Sequence, residues 1–308
     1  MSDGIQVRDL AVTFHLPKLD VRAVDGVTAQ FPEGQITGLI GESGCGKSVL
    51  GLAIMGLLPP YAGVEGTITM DGQELSAKTA RQRLGKEIGL IPQNPSDSMN
   101  PARTVKAHLK EAMLPLKLSR READRRAEQL LGDFGFADPG RILKAYPHEL
   151  SGGMQQRVLC AMGSACSPRW ILADEPTKGL DRDLRDQVQS TLLSLRDRGV
   201  RSMLVITHDL PLARGLCDRL AVMYAGQILE IGPGLLEDPL HPYTRAFLDA
   251  LPENGFQPMT GVAPRAGERL PGCPFAPRCP FAQERCRRER PQAYSPVKGR
   301  KVRCFRYE

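Results

Sequence analysis

The sequence predicts an α/β protein: parallel strands covered by helices, a β-rich entry, a helical insert and a small cysteine-rich C-terminal domain. Three observations carry this expectation. A buried strand, a glycine-rich loop and a helix follow one another from Ile36 to Leu58. Short apolar strands alternate with helical patterns from Trp170 to Tyr224, as in sheets whose two faces are both covered. Beyond Asp238 the composition shifts to Pro, Arg and Cys.

The elements follow in order. Ile5 to Phe14 and Val24 to Phe31 read as strands, with a turn at Pro32-Glu33-Gly34. Ile36 to Ile40 is a mainly apolar run that reads as a buried strand, and Val49 to Leu58 reads as the helix after the glycine loop. Gly66 to Met70 alternates apolar and polar residues and ends at the turn signal Asp71-Gly72. Glu87 to Pro92 is another apolar run ending in a loop. From Thr104 to about Gly135 the spacing turns helical, with Leu109, Met113 and Leu116 on one face and Leu130, Leu131 and Phe134 on another. The helical stretch near 94–165 reads as an insert in the core. Trp170 to Ala173 and Met203 to Ile206 are strands around an amphipathic helix, Asp183 to Arg198; a further helix leads to the strand Leu220 to Tyr224.

A chain of 308 residues holds one large domain and an appendage. With 41% hydrophobic and 25% charged residues it has the composition of a soluble globular protein. No run reaches the roughly 18 apolar residues of a membrane span, and Met1-Ser2-Asp3-Gly4 lacks a leader's basic and apolar regions. A cytosolic location is expected. The segment from Arg265 to Glu308 carries 12 Lys/Arg against 4 Asp/Glu, a net +8, so the rest sums to −2 within the total of +6. Such a basic tail is a solvated face, or a surface for nucleic acid, anionic lipid or acidic protein. Cys45, Cys160, Cys166 and Cys217 are scattered, whereas Cys273, Cys279, Cys286 and Cys304 share the tail. In a reducing compartment such clustering argues for metal rather than disulfides.

Gly41-Glu42-Ser43-Gly44-Cys45-Gly46-Lys47-Ser48 fits G-x-x-x-x-G-K-[ST] in the strand–loop–helix context that confirms it. Its glycines let backbone N–H groups face phosphate oxygens, and the helix N-terminus adds partial positive charge. Lys47 is expected to reach the β- and γ-phosphates and Ser48 to coordinate Mg²⁺. The expected ATP-binding set is Gly41, Ser43, Gly44, Cys45, Gly46, Lys47, Ser48 and Val49. Trp170 to Ala173 runs into Asp174 and Glu175. Asp174 is placed to hold Mg²⁺, and Glu175 to polarise an attacking water as general base. Leu150-Ser151-Gly152-Gly153-Met154-Gln155-Gln156-Arg157 opens a helix with a hydroxyl and two glycines, a second anion site.

Together these motifs resemble the ATP-binding cassette (ABC) family over about residues 5–235. The resemblance implies that Ser151, Gly152, Gly153 and Gln155 close over ATP held by a partner subunit's phosphate loop. Gln93 resembles the glutamine that senses Mg²⁺ and contacts the transmembrane partner. Asp181, in Gly179-Leu180-Asp181, resembles the loop that communicates between the two sites. His208, in Ile206-Thr207-His208-Asp209, resembles the switch residue that contacts the γ-phosphate, and Phe14 stands where an aromatic stacks on adenine. On this resemblance Phe14 and Gln93 join the expected ATP-binding set. Met154 and the pair Lys178-Gly179 depart from the commoner residues; Glu175 is intact, so hydrolysis is expected. The implied layout is a nucleotide-binding domain over 1–238, its helical subdomain at about 94–165, and a cysteine-rich extension over 239–308.

Gln93-Asn94-Pro95 through Met99-Asn100-Pro101 and Ala145 to Leu150 are similar to the oligopeptide/dipeptide/nickel importers. So are His241 to Arg245 with Leu248 to Pro252, and Leu270 to Phe275 with Arg278-Cys279-Pro280. That resemblance implies an ATPase subunit at the cytoplasmic face of a bacterial membrane, serving uptake of peptides or a nickel-chelate solute. Its partners would be a second, different ATPase, two transmembrane permease subunits and an extracytoplasmic binding protein, with no nucleic acid. The tail spacing C-x₅-C-x₆-C-x₁₇-C matches neither short zinc pairs nor ferredoxin runs. The group carries an iron–sulfur cluster in a similar segment, so a [4Fe–4S] cluster on Cys273, Cys279, Cys286 and Cys304 is expected, with zinc or unligated thiols as alternatives. The rival from another class is a soluble ABC ATPase whose metal-bearing tail binds nucleic acid.

Overall fold

The structure, a computed structural model, describes residues 4–251, 255–265 and 267–308. Met1-Ser2-Asp3 and Pro252, both used above, lie outside the described residues. In chain order the elements begin with β1 (Ile5–His15), β2 (Asp20–Phe31), β3 (Ile36–Ile40), α1 (Lys47–Ile54), β4 (Ala62–Met70), β5 (Gln73–Glu74) and α2 (Ala77–Arg83). There follow β6 (Ile88–Ile91), α3 (Pro95–Ser98), α4 (Val105–Ala112), α5 (Arg120–Asp133), α6 (Pro139–Lys144) and α7 (Gly152–Ser164). The chain continues through β7 (Trp170–Asp174), α8 (Arg182–Asp197), β8 (Ser202–Ile206), α9 (Leu210–Leu216), β9 (Arg219–Tyr224) and β10 (Gln227–Gly232), and ends with α10 (Pro242–Asp249), α11 (Glu284–Arg288) and β11 (Lys301–Val302). They form two compact units, residues 1–80 with 217–308, and residues 81–216.

In the first unit β1 pairs antiparallel with β2 and with β4, and β4 with β5. Ile5 and Val7 are buried while Arg8 is exposed, the two-residue period of a sheet with one covered face. The register shifts after Val7, beside Asp9 at φ +47°, a bulge that bends the strand. β3 pairs parallel with β9, β9 antiparallel with β10, and β10 with β11. All five residues of β3 are buried, Thr37 among them, as in a strand covered on both faces. α1 starts earlier than the sequence suggests and stops at Ile54, because Gly56 takes φ +66° and turns the chain out of the helix.

The cysteine-rich segment forms no compact unit of its own. Val302 pairs with Glu230 in β10, and the Arg303 N–H bonds to the Leu229 carbonyl at 2.8 Å. Arg300 ion-pairs with Glu230 at 2.9 Å, with side chains 6% and 0% exposed. Glu230 also accepts the N–H groups of Leu240 and His241, so the buried carboxylate is fully engaged.

In the second unit β6, β7 and β8 run parallel, with Ile88 opposite Trp170 and Trp170 opposite Ser202. α5 opens on a capping box: Ser119 Oγ accepts the Glu122 N–H and Glu122 returns the bond to Ser119. Leu130, Leu131 and Phe134 are buried, as their spacing predicts. Leu109 and Met113 are buried too, but Leu116 is 40% exposed. The expected face breaks because α4 ends at Ala112, a short 3₁₀ turn holds Pro115, and Lys117 takes φ +53°.

Candidate nucleotide site and cysteine pocket

The phosphate loop lies in the first unit, directly after β3. Gly44 has φ +79° and Gly46 φ +105°, both costly for a side chain. A Cβ on Gly46 would stand 2.3 Å from the Ala23 carbonyl oxygen, and one on Gly41 2.0 Å from that of Met223. The loop is therefore shaped by neighbouring backbone as much as by its own torsions. Lys47 is buried, and its ammonium donates to the carbonyls of Gly41 at 2.8 Å and Glu42 at 3.0 Å. Gly46 caps α1 without a side-chain acceptor, and Ser48 and Val49 stand in the helix's first turn, where backbone N–H groups face outward along the axis. Ser43 and Gly44 are exposed, while Cys45 is buried and burial raises its thiol pKa. Phe14 is half-buried, its ring 6.0 Å from that of Tyr61, which is 54% exposed; the sequence reading missed this aromatic partner.

The second unit places Asp174 at the end of β7, in register with Ile206 of β8. Glu175 follows at φ +48°, a left-handed torsion unusual for a residue with a side chain. Its N–H bonds to the Ile206 carbonyl at 2.8 Å, and its Oε2 lies 2.7 Å from His208 Nδ1 and 3.4 Å from the His208 N–H. Two residues chosen from separate motifs thus meet through one oxygen. Thr177 and Asp209, which the motifs do not single out, brace this corner. Thr177 Oγ1 donates to Asp209 at 3.1 Å, and Asp209 accepts the Leu212 N–H. Gln93 follows β6 at the edge of the same unit, half-exposed.

Ser151 caps α7 by accepting the Met154 N–H at 3.4 Å. Gly152 is exposed; Gly153 is buried, and a Cβ there would stand 2.4 Å from Leu184 Cδ2. Gln155 turns inward, donating to the carbonyls of Pro147 at 2.8 Å and Leu150 at 3.2 Å, so it braces the segment before the helix. Asp181 caps α8 through the Leu184 N–H at 2.9 Å, and Gly179 supplies φ +73° in the turn before it.

Cys273, Cys279, Cys286 and Cys304 line one cavity of about 30 Å³, together with His241 and Phe281. The Cys273 N–H bonds to the Cys286 carbonyl at 2.8 Å, which closes the turn around it. Burial pushes the Cys273 thiol up to about 12 and raises those of Cys279 and Cys304, with neighbouring sulfurs adding to the effect. Such a pocket favours neutral thiols unless a cation joins it. Among the described residues, no group of three or more His, Cys, Asp or Glu side chains is arranged to hold a metal ion.

A model of the ABC transporter family matches residues 24–178, and one of the oligopeptide/dipeptide transporter C-terminal region matches residues 230–286. The chain is 40% identical to the dipeptide transport ATP-binding protein DppD of Haemophilus influenzae, over 97% of this chain and 94% of that one. It is 38% identical to the oligopeptide transport ATP-binding protein AppD of Bacillus subtilis, over 100% of this chain and 98% of that one. Among solved structures it is similar to the dimeric bacterial ABC transporter cassette MJ0796, with a TM-score of 0.64 at 26% identity, covering 73% of this chain and 96% of that chain.

Proposed function

The chain belongs to the ABC transporter family, on its oligopeptide/dipeptide branch, and is an ATPase; from that premise we propose that it drives uptake of dipeptides or oligopeptides through membrane permease partners. The observation that carries the catalytic part is the Glu175 carboxylate held 2.7 Å from His208. Glu175 acts as general base on the attacking water, and His208 orients that carboxylate and meets the γ-phosphate. Lys47 and the N–H groups of Gly44, Cys45 and Gly46 neutralise the phosphates, with Ser43, Ser48 and Val49 completing the loop and Phe14 with Tyr61 flanking the adenine. Ser48, Asp174 and Gln93 are the residues that would hold Mg²⁺, which supplies charge neutralisation at the phosphates. Ser151, Gly152 and Gly153 offer the second anion site to a partner's nucleotide. Gln155 supports them from behind, and Asp181 links the sites.

The partners in this reading are a second ATPase of different sequence, two permease subunits and an extracytoplasmic binding protein. The chain works at the cytoplasmic face of the membrane; among the described residues no helix is long and apolar enough to cross one. The relatives' names favour peptides over a nickel chelate as solute. A nucleic-acid role for the tail is disfavoured by its ion pairing. Arg278, Arg285, Arg288, Arg290 and Arg300 each face a carboxylate, which leaves less free positive charge for a polyanion.

Cys273, Cys279, Cys286 and Cys304 would hold a [4Fe–4S] cluster. Four thiols on one cavity support this. Cysteine thiolates are the ligands such a cluster takes, four to each cluster, and the four tail cysteines supply that number. The cluster would supply thiolate-stabilising positive charge.

Two measurements test the reading. Vesicles carrying this chain with its second ATPase, permease subunits and binding protein should accumulate labelled dipeptide only when ATP is supplied; ATP turnover without uptake sinks the transport assignment. Protein purified without oxygen should contain roughly four irons and four acid-labile sulfides per chain; zinc without sulfide sinks the cluster.

A further inference from the structure

The cysteine-rich segment reaches into the phosphate loop. Between Cys273 and Cys279 the chain makes a short turn, Ala276–Arg278, held by bonds from the Ala276 N–H to the Cys273 carbonyl and from the Arg278 N–H to the Phe275 carbonyl, both 3.0 Å. From this turn Arg278, with a side chain only 7% exposed, donates Nη1 to both carboxylate oxygens of Glu42, at 3.0 and 3.2 Å. The same nitrogen lies 3.2 Å from Tyr224 Oη, and Nε donates to the Thr260 carbonyl at 3.2 Å.

Glu42 is the first residue after Gly41 in the phosphate loop, and its other two polar groups are also committed. Its N–H donates to Tyr243 Oη at 3.1 Å, and its carbonyl accepts from the Lys47 ammonium at 3.0 Å. The rings of Tyr224, Tyr243 and Phe275 pack together, with centroids 4.5 to 5.6 Å apart, behind the contact. A continuous chain of contacts therefore runs from Cys279, on the wall of the cysteine pocket, through Arg278 and Glu42 to Lys47. A nearly buried ion pair is a poor source of net stability, since apolar packing would serve as well. What a planar guanidinium on a carboxylate supplies is a fixed position.

We propose that Arg278 is a positioning residue of the nucleotide site, and that the Cys273 to Cys279 turn is a clasp through which the state of the cysteine pocket reaches the phosphate loop. The proposal rests on the nucleotide-site reading above. It gives the tail a regulatory role: whatever rearranges the four thiols shifts Arg278, and with it Glu42 and the carbonyls that hold Lys47.

The test is calorimetric binding of Mg-ADP to the full chain, with thermal melting in parallel. R278A should weaken binding about tenfold, inside the span of ordinary intersite coupling. E42Q should weaken it similarly, and the R278A/E42Q double variant no more than the weaker single one, because both remove one interaction. R278K should recover part of the loss, keeping the charge without the fork. Cys279→Ser should weaken binding several-fold in the wild-type chain and leave R278A unchanged. A brace that serves only stability would lower the melting temperature and leave affinity intact, and that result overturns the proposal. Additive losses in the double variant, or an equal effect of Cys279→Ser in both backgrounds, overturn it too. Should R278A not fold, E42Q and R278K carry the same comparison. Wild-type protein that fails to bind Mg-ADP, or a Lys47→Ala chain that binds as well as wild type, overturns the nucleotide-site reading along with this one.

Discussion

His208 Nδ1 lies 2.7 Å from Glu175 Oε2, although the two side chains sit in different settings, 55% and 11% exposed. The buried carboxylate is fixed, while the imidazole keeps an open edge for a ligand. Glu175 is held from both directions, by its own left-handed torsion and by the bond from its N–H to the Ile206 carbonyl. A carboxylate positioned this firmly is prepared to accept a proton from water without reorganising.

Glu175→Gln should therefore keep nucleotide affinity and lose at least about a hundredfold in ATP turnover, the lower range for removing a general base. Mixed with its partner ATPase, the variant should accumulate as an ATP-bound closed dimer, visible by size-exclusion chromatography. Turnover near the wild-type rate would assign the base elsewhere.

Gly46→Ala should fail on two counts. The position has φ +105°, and the new Cβ would meet the Ala23 carbonyl at 2.3 Å. A loss of about 1–3 kcal/mol from the strained torsion alone is expected, with nucleotide binding lost along with the loop's shape. Denaturant melts and nucleotide titration measure the two effects; a variant that binds normally would contradict the described loop.

Glu230→Ala would leave Arg300 buried opposite nothing but Asp238, and it strips acceptors from Leu240 and His241. Breaking such a pair costs about 3–5 kcal/mol. Protease digestion should release the tail sooner in the variant; an unchanged digestion pattern would show that the pair does not anchor the segment.

Cys160 provides a pH signature. It is fully buried in α7, and burial pushes its thiol from 9.0 up to about 12. Below pH 9 both folded and unfolded chains keep the proton, so stability is unaffected. Between pH 9 and 12 the unfolded chain releases a proton that the folded chain retains, so this thiol lowers stability by up to about 1.4 kcal/mol per pH unit. Cys160→Ala should show a shallower decline across that window in denaturant melts. Parallel curves for the two proteins would remove Cys160 from the account.

Much of the fold and site is legible without coordinates, where local chemistry decides it. Ile36 to Ile40 forms a buried strand, Leu130, Leu131 and Phe134 are buried together, and Gly44 and Gly46 adopt the positive φ that the phosphate loop requires. Leu116 shows the limit: its spacing fits a helical face, but α4 ends at Ala112 and Leu116 falls in the short turn that holds Pro115. Gln155 shows another limit. The motif marks it as facing a ligand, yet its amide braces Pro147 and Leu150.

The phosphate loop, the order of the motifs and the spacing of the tail cysteines are written locally in the chain, because each depends on torsions and residue types within a few positions. What those motifs touch is set by the folded arrangement. That Arg278 grips Glu42 from 236 residues away, that Glu230 binds the tail through Arg300, and that four cysteines share one cavity all depend on strands brought together after long excursions. No local pattern encodes such a contact. It arises when burial forces each polar group to find a partner, wherever in the chain that partner stands.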